Sequence, residues 1–204
     1  MEHQTPTPIT GHTALICLLG SPCAHSISPM MHNASFEALG LDYRYLAFDV
    51  NEETLPTAVA GLKVLAARGF NLTMPDKNLM VSLCDELSTA ARIIGAVNTV
   101  VNEDGRLVGH NTDGIGYMQS IKDAGYDIIG KKMTLLGAGG AATAILVQAA
   151  LDGLKEISVF VRPTSRFYDR LVHTVEELTE ITDCRIRICD FSDANLLKKE
   201  LADS

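Results

Sequence analysis

The sequence predicts an α/β protein arranged as two successive units. Short apolar runs alternate with longer helical patterns along the whole chain, which is the signature of an open sheet covered by helices. One apolar strand runs straight into a glycine-rich turn at Gly137–Ala142 and then into a helix. With 47% of its 204 residues hydrophobic, the chain can bury a real core.

The opening Met-Glu-His-Gln-Thr-Pro-Thr-Pro lacks both a basic and an apolar region, so residues 1–12 read as a disordered leader and not as a signal peptide. Ala14–Leu19 is the first strand, and a turn leads into a helix from Pro29 to Leu39. Tyr45–Val50 is the second strand. Leu55, Val59, Leu62 and Ala66 give a helical stripe over Leu55–Arg68. Gly69–Thr73 and Ala96–Val101 are further strands, the last followed by the turn Asn102-Glu103-Asp104-Gly105.

A second unit begins near Asp113, with a helix over Ile115–Ala124. Lys132–Leu136 is a strand, Thr143–Leu151 a helix, Ile157–Val161 a strand, and Arg185–Ile188 a strand after the helix around Val175. The resulting β-α-β-α-β order is one mononucleotide-binding half, closed by a short helix over Ala194–Leu201. No internal repeat interrupts this order.

The net charge of −8 argues against a nucleic-acid surface or an anionic membrane surface, both of which favour basic patches. No apolar run approaches the ~20 residues of a membrane helix. Five cysteines, odd in number and without a C-x-x-C pair, read as reduced thiols of a cytoplasmic protein. Their spacing from the histidines gives no zinc site, and no metal is expected.

Gly137-x-Gly139-x-x-Ala142 fits the dinucleotide fingerprint in its proper context, a strand before it and a helix after. Glycines let the backbone approach a pyrophosphate, and the helix start offers unpaired N–H groups. The same residues would also serve a plain tight turn. Where an NAD site usually carries an acid on the ribose, this sequence has Arg162-Pro163-Thr164-Ser165-Arg166. Two arginines and two hydroxyls suit a 2′-phosphate, which favours NADP over NAD, although both arginines would also serve as surface cations.

Three polar segments stand in apolar surroundings. Ser28-Pro29 looks like an N-cap with its N1 proline, and Ser26 adds a second hydroxyl able to donate with Ser28 to a ligand carboxylate. In Asn71-Leu72-Thr73-Met74-Pro75-Asp76-Lys77, Pro75 and Asp76 look like a helix start with Asp76 as N-cap. That would put Lys77 in the first turn, where the macrodipole eases loss of its proton, unless the lysine simply reaches solvent. Asn98 sits in an apolar strand and must find a partner, in the backbone or in a ligand. Asp113 reads either as a helix cap or as a site residue.

Taken together, Ser26–Pro29, Asn71–Lys77, Gly95–Thr99, Asn111–Gly114 and Gly137–Ala141 occur in the order and spacing of the shikimate dehydrogenases, and the chain resembles that family over residues 13 to 204. Met74-Pro75-Asp76-Lys77 and Gly153–Ile157 bring it nearest the quinate/shikimate dehydrogenase branch. The resemblance implies an N-terminal α/β substrate domain, residues 1–112, with an open, mainly parallel sheet. A partial Rossmann-type nucleotide domain, residues 113–204, would follow it. It implies Lys77 and Asp113 as the catalytic pair, Ser26 and Ser28 on the substrate carboxylate, and Thr73, Asn98, Asp113 and Tyr45 on the ring hydroxyls. Gly137, Ala138, Gly139, Gly140 and Ala141, with Arg162, Thr164 and Arg166, would hold NADP or NAD. Arg162 and Arg166 keep the family's arginine spacing, while Val161 and Pro163 replace its Asn and Thr.

The expected activity is oxidation of shikimate or quinate in aromatic amino-acid biosynthesis, by a monomer or homodimer. The alternatives are a chain that binds the ring carboxylate without turnover and a reductase for another hydroxy acid. Members of the family run on beyond the point where this sequence stops, at Ser204, so a C-terminally incomplete nucleotide domain is expected.

Overall fold

The computed structural model describes residues 8–204. Residues 1–7 of the expected leader lie outside them, and Thr10–Thr13 form a turn closed by the Thr13 N–H on the Thr10 carbonyl. The chain divides into two compact units, the residues up to Ala91 with Gly95–His110, and Arg92–Ile94 with Asn111–Ser204.

The first unit carries strands β1 (Ala14–Gly20), β2 (Tyr43–Asp49), β3 (Gly69–Leu72), β4 (Glu86–Leu87), β5 (Thr99–Glu103) and β6 (Arg106–His110). They form one sheet in the order β2-β1-β3-β5-β6-β4. β1 pairs in parallel with β2 and β3, while β5 runs antiparallel to β3 and β6. Side chains alternate across the strands. Cys17, Leu19, Phe70 and Leu72 therefore join one core with Leu55, Val59 and Leu62 of helix α2 (Leu55–Val64), and with Met80 of a 3₁₀ turn over Leu79–Leu83. Leu18 and Tyr45 meet Phe36 of α1 (Ser28–Ala38) on the other face.

α2 stops short of the expected Arg68. Ala66 turns left-handed at φ 52°, and the N–H of Ala67 closes on the Leu62 carbonyl at 3.0 Å, a Schellman-like end. The hairpin strand β6, the two-residue β4 and helix α3 (Thr89–Ile94) add to the elements expected from the sequence.

In the second unit β7 (Lys132–Leu136), β8 (Glu156–Val161) and β9 (Arg185–Asp190) form a parallel sheet in sequence order. Helix α5 (Gly140–Leu151) buries Ala144, Leu146, Val147 and Ala150, and α6 (Tyr168–Ile181) buries Leu171 and Leu178. Helix α4 (Asp113–Asp123) starts two residues before the expected Ile115 and packs along α5. Helix α7 (Ala194–Ala202) is tied down through Glu200.

All five cysteines are free thiols. Burial pushes the Cys17 thiol up to about 12 and those of Cys84 and Cys184 up to about 11, so they behave as small apolar groups. Among the described residues no helix is long and apolar enough to cross a membrane, and no group of His, Cys, Asp and Glu could hold a metal ion.

Candidate functional site

In the first unit the polar residues singled out from the sequence collect where β1 and β3 end and β5 begins. β1 leads into the turn that carries Ser26 and Ser28, both half-buried. The expected N-cap role of Ser28 does not hold. Ile27 occupies the cap position with helical dihedrals, Ser28 is the first helical residue, and the Ser28 N–H donates to the Ser26 hydroxyl at 3.2 Å. Ser26 thus closes the turn, and the Ser28 hydroxyl caps nothing.

Asn33, which the sequence reading passed over, fixes this helix to the sheet. Its amide nitrogen donates to the carbonyls of Pro29 (2.7 Å) and Tyr45 (2.9 Å), and its oxygen accepts from the Tyr45 N–H at 2.9 Å. Tyr45 itself is buried, stacked on His32 with ring centroids 4.3 Å apart. Its hydroxyl donates to Asn71 Oδ1 at 2.8 Å, and burial raises its pKa. The Asn71 amide donates in turn to the Thr99 hydroxyl at 3.0 Å, which donates to Asn98 Oδ1 at the same distance. A polar chain therefore runs from Tyr45 to Asn98 over one face of the sheet. Asn71 and Thr99 are its unforeseen members.

Thr73 follows β3, its N–H on the Leu19 carbonyl at 2.9 Å. Its methyl group lies where a side chain at Gly20 would go, 2.2 Å from an added Cβ, so only glycine lets β1 pass beneath Thr73. Lys77 is half-buried. It lies on a turn before the 3₁₀ segment and not in an α-helix, so Asp76 is no helix N-cap and the macrodipole argument for Lys77 falls. The Leu79–Leu83 run is too short to build an α-helical dipole. The Lys77 carbonyl accepts from the Val97 N–H at 2.8 Å, next to Asn98. Asn98, 8% exposed, gives its own carbonyl to Leu72 N–H and takes the His110 carbonyl on its N–H. Asp76 is fully buried, with no hydrogen-bond partner on either carboxyl oxygen among the described residues. Burial first, then Glu52, raises its pKa.

In the second unit Gly137 takes φ 98°, a left-handed conformation that favours glycine, and its N–H pairs with the Phe160 carbonyl at 2.8 Å. Gly139 is the extended N-cap of α5, with no side chain capping the helix. A Cβ added at Gly139 or Gly140 would meet nothing within 4 Å. The protein's own packing therefore does not require these two glycines, and the bare backbone is left for a ligand to approach, as a pyrophosphate on the free N–H groups of a helix start would. Beside the loop lies a cavity of about 520 Å³ lined by Leu136, Gly137, Phe160, Val161, Arg162, Ser165, Phe167 and Phe191. Arg166 lies over the Phe167 ring at 4.7 Å, and Thr164 is exposed on the same loop. The partly exposed rings of Phe167 and Phe191 suit contact with a planar base, with Arg162 for a phosphate, while Phe160 is fully buried beneath. The aromatics were missed because they stand up to 31 residues apart in the chain and meet only at the strand ends.

Asp113 is the first residue of α4, with Thr112 in the cap position, so it is not the N-cap that the sequence allowed. Its N–H donates to Asn111 Oδ1 at 3.2 Å. The structure thus groups Ser26, Ser28, Tyr45, Thr73, Lys77 and Asn98 in the first unit, and Asp113 with the glycine loop and the Arg162–Arg166 segment in the second.

Comparison with known proteins gives these features a context. A family model described as the shikimate dehydrogenase substrate binding domain matches residues 18–100. A shikimate dehydrogenase (NADP(+)) of Listeria monocytogenes is 53% identical over 204 residues, which cover all of this chain and 70% of that protein. The crystal structure of a shikimate 5-dehydrogenase from Listeria monocytogenes in complex with shikimate and NAD is 54% identical, with a TM-score of 0.92 over 97% of this chain and 68% of the other. A 5-ketofructose reductase of a Gluconobacter strain superposes with a TM-score of 0.82 at 34% identity, covering 90% of this chain and 64% of its own.

Proposed function

The chain belongs to the shikimate dehydrogenase family, and on that footing we propose that it interconverts shikimate and 3-dehydroshikimate with a nicotinamide nucleotide, in the pathway to the aromatic amino acids. The observation that carries this reading is the convergence of Thr73, Lys77 and Asn98 at the sheet end where β1 leads into Ser26 and Ser28, held by the backbone bonds of Leu72, Thr73 and Val97. A carboxylate-bearing, polyhydroxylated ring needs that set: hydroxyl donors for its acid group, an amide and a hydroxyl for its ring alcohols, and one titratable group at the alcohol that reacts.

In the proposed mechanism Ser26 and Ser28 orient the substrate carboxylate, and Thr73 and Asn98 hold the ring hydroxyls. Tyr45 acts through the Asn71–Thr99–Asn98 chain. In oxidation the Lys77 amine takes the proton of the reacting hydroxyl. In reduction its ammonium returns that proton. Asp113 is the second member of the pair and serves the same hydroxyl. A bound nicotinamide nucleotide supplies the hydride acceptor or donor. Gly137–Ala141 receive its pyrophosphate, and Arg162, Thr164 and Arg166 receive a ribose 2′-phosphate, which makes NADP the preferred cofactor and NAD the second. Quinate is a further proposed substrate, since it presents the same carboxylate and ring alcohols. We read the first unit as the substrate domain and the second as the nucleotide domain of a cytoplasmic enzyme, monomeric or homodimeric.

The test is NADPH formation from shikimate by the purified chain and by a Lys77→Ala variant. The variant should lose kcat by about 10²-fold or more with KM changed far less. A near-wild-type kcat removes Lys77 from the mechanism. Calorimetric binding of shikimate without any turnover by the unaltered chain would favour the binding-only alternative.

A further inference from the structure

We infer that Gly114 is a positioning residue, one that sets the distance between the Asp113 carboxylate and the nucleotide loop by fixing how closely α4 lies against α5. This rests on the proposed role of Asp113, and it adds a residue to which the proposed mechanism assigns nothing.

Gly114 follows Asp113 directly, is buried, and faces Ala144 and Gln148 of α5. An added Cβ there would come within 2.3 Å of the Ala144 carbonyl oxygen, 2.7 Å of Gln148 Cβ and 3.0 Å of the Ala144 carbonyl carbon. Two of the three are backbone atoms of a helix, so no side-chain rotation relieves the collision. Ala144 itself is 1% exposed, and its neighbours Leu146 and Val147 are fully buried against the sheet. α5 therefore cannot retreat, and α4 would have to move.

α5 is also the helix whose first residue, Gly140, belongs to the proposed phosphate loop. The helix that begins with Asp113 and the helix that begins at the loop thus touch backbone to side-chain-free backbone at Ala144, three residues beyond Gly137–Ala141. Gly116, two residues on in α4, supplies the contrast: it is exposed, and a Cβ there meets nothing within 4 Å. Two glycines in one helix carry the same intrinsic cost of about 0.5–1 kcal/mol relative to alanine, yet only the one beside Asp113 has a steric requirement.

A carbon needs more than 3 Å from a carbonyl oxygen, so Gly114→Ala must displace the start of α4 by about 1 Å, a shift that at a reacting centre costs on the order of 10²-fold in rate. The experiment compares Gly114→Ala with Gly116→Ala. For Gly114→Ala, kcat with shikimate and NADP⁺ should fall about 10- to 100-fold, while the Kd for NADP⁺ by titration calorimetry and the KM for shikimate stay within about threefold. Gly116→Ala should keep kcat. A purely structural role for Gly114 would lower the melting temperature and leave kcat per folded molecule unchanged.

A readout that needs no turnover is the carbon-13 resonance of the Asp113 carboxyl. Its displacement on adding NADP⁺ should be smaller in Gly114→Ala than in the unaltered chain, and equal displacements overturn the proposal. If Gly114→Ala does not fold, Met118→Ala loosens the same buried face one turn on and should lower kcat by about three- to tenfold. Unchanged kcat in the folded Gly114→Ala protein, or in Met118→Ala if that is the variant that folds, overturns the proposal. Asp113→Asn separates the two claims. Retained kcat there removes the catalytic reading itself, whereas lost kcat in Asp113→Asn with retained kcat in Gly114→Ala removes only the positioning role.

Discussion

Replacing Glu200 tests how the second unit is held together. Glu200, on α7, is 2% exposed, and its carboxylate accepts from the Ser158 hydroxyl at 2.7 Å, from Arg187 at 2.8 Å and from Lys132 at 2.9 Å. One side chain thus joins α7 to all three strands β7, β8 and β9. Removing one partner of a buried pair costs about 3–5 kcal/mol when the charge left behind has no other partner. Here both cations keep one: Lys132 retains Asp203 at 2.7 Å, and Arg187 retains Glu156 at 2.7 Å. Arg187 is 43% exposed, and water screens it. Glu200→Ala should therefore cost about 2–3 kcal/mol, and the isosteric Glu200→Gln about half of that, because Gln still accepts from Ser158.

The pH dependence gives a second, independent readout of the same carboxylate. Hydrogen bonds from Ser158 and Lys132 hold the Glu200 carboxyl down to about 2. A depressed folded-state pKa stabilises above the unfolded value of about 4.3, and that stabilisation disappears as pH falls from there towards 2. Urea unfolding followed by circular dichroism between pH 7 and pH 2.5 should show a steep acid limb in the unaltered chain and a flatter one in Glu200→Gln. A Gln variant as stable as the original at pH 7, with the same acid limb, would refute the reasoning.

Gly20→Ala should displace Thr73, cost about 1–3 kcal/mol and raise the KM for shikimate, since the added Cβ meets the Thr73 methyl at 2.2 Å. Asn33→Ala removes two hydrogen bonds between α1 and β2 and a third to Pro29 within α1, and should cost about 2–3 kcal/mol by urea unfolding, with weaker shikimate binding because the serine turn loses its anchor. An unchanged midpoint would contradict that role for Asn33. Arg162→Ala should raise the KM for NADP⁺ by about tenfold or more while leaving that for NAD⁺ within about twofold. Equal losses for both cofactors would take Arg162 away from the 2′-phosphate.

The elements that carry their own local signal were legible in the sequence. The β7–loop–α5 segment declares itself through the glycines and the apolar runs on either side, and β1, β3 and β8 follow from short apolar stretches of the expected length. The β5–β6 hairpin was half-read. Asp104-Gly105, with φ of 52° and 94°, is a strong two-residue hairpin turn, yet the strand after it, Arg106–His110, went unassigned. The Lys77 segment misled because Pro75-Asp76 imitates a helix start, while the chain there makes a turn and a brief 3₁₀ segment without helical periodicity. Residues whose work depends on distant partners left no local trace. Asn33 pairs with Tyr45 twelve residues away, and Asn71 with Thr99 across 28. Ser26 and Ser28 were found, but which of the two closes the turn depends on Ile27 taking helical dihedrals, a choice no pattern announces.

In the proposed mechanism Lys77 and Asp113 act on one hydroxyl as a unit. A double-mutant cycle on kcat, with Lys77→Ala, Asp113→Asn and the double variant assayed for shikimate oxidation, tests it directly. The double variant should be about as slow as the slower single one, because losing either partner already disables the pair. Losses that multiply, as for two groups working independently, would contradict it.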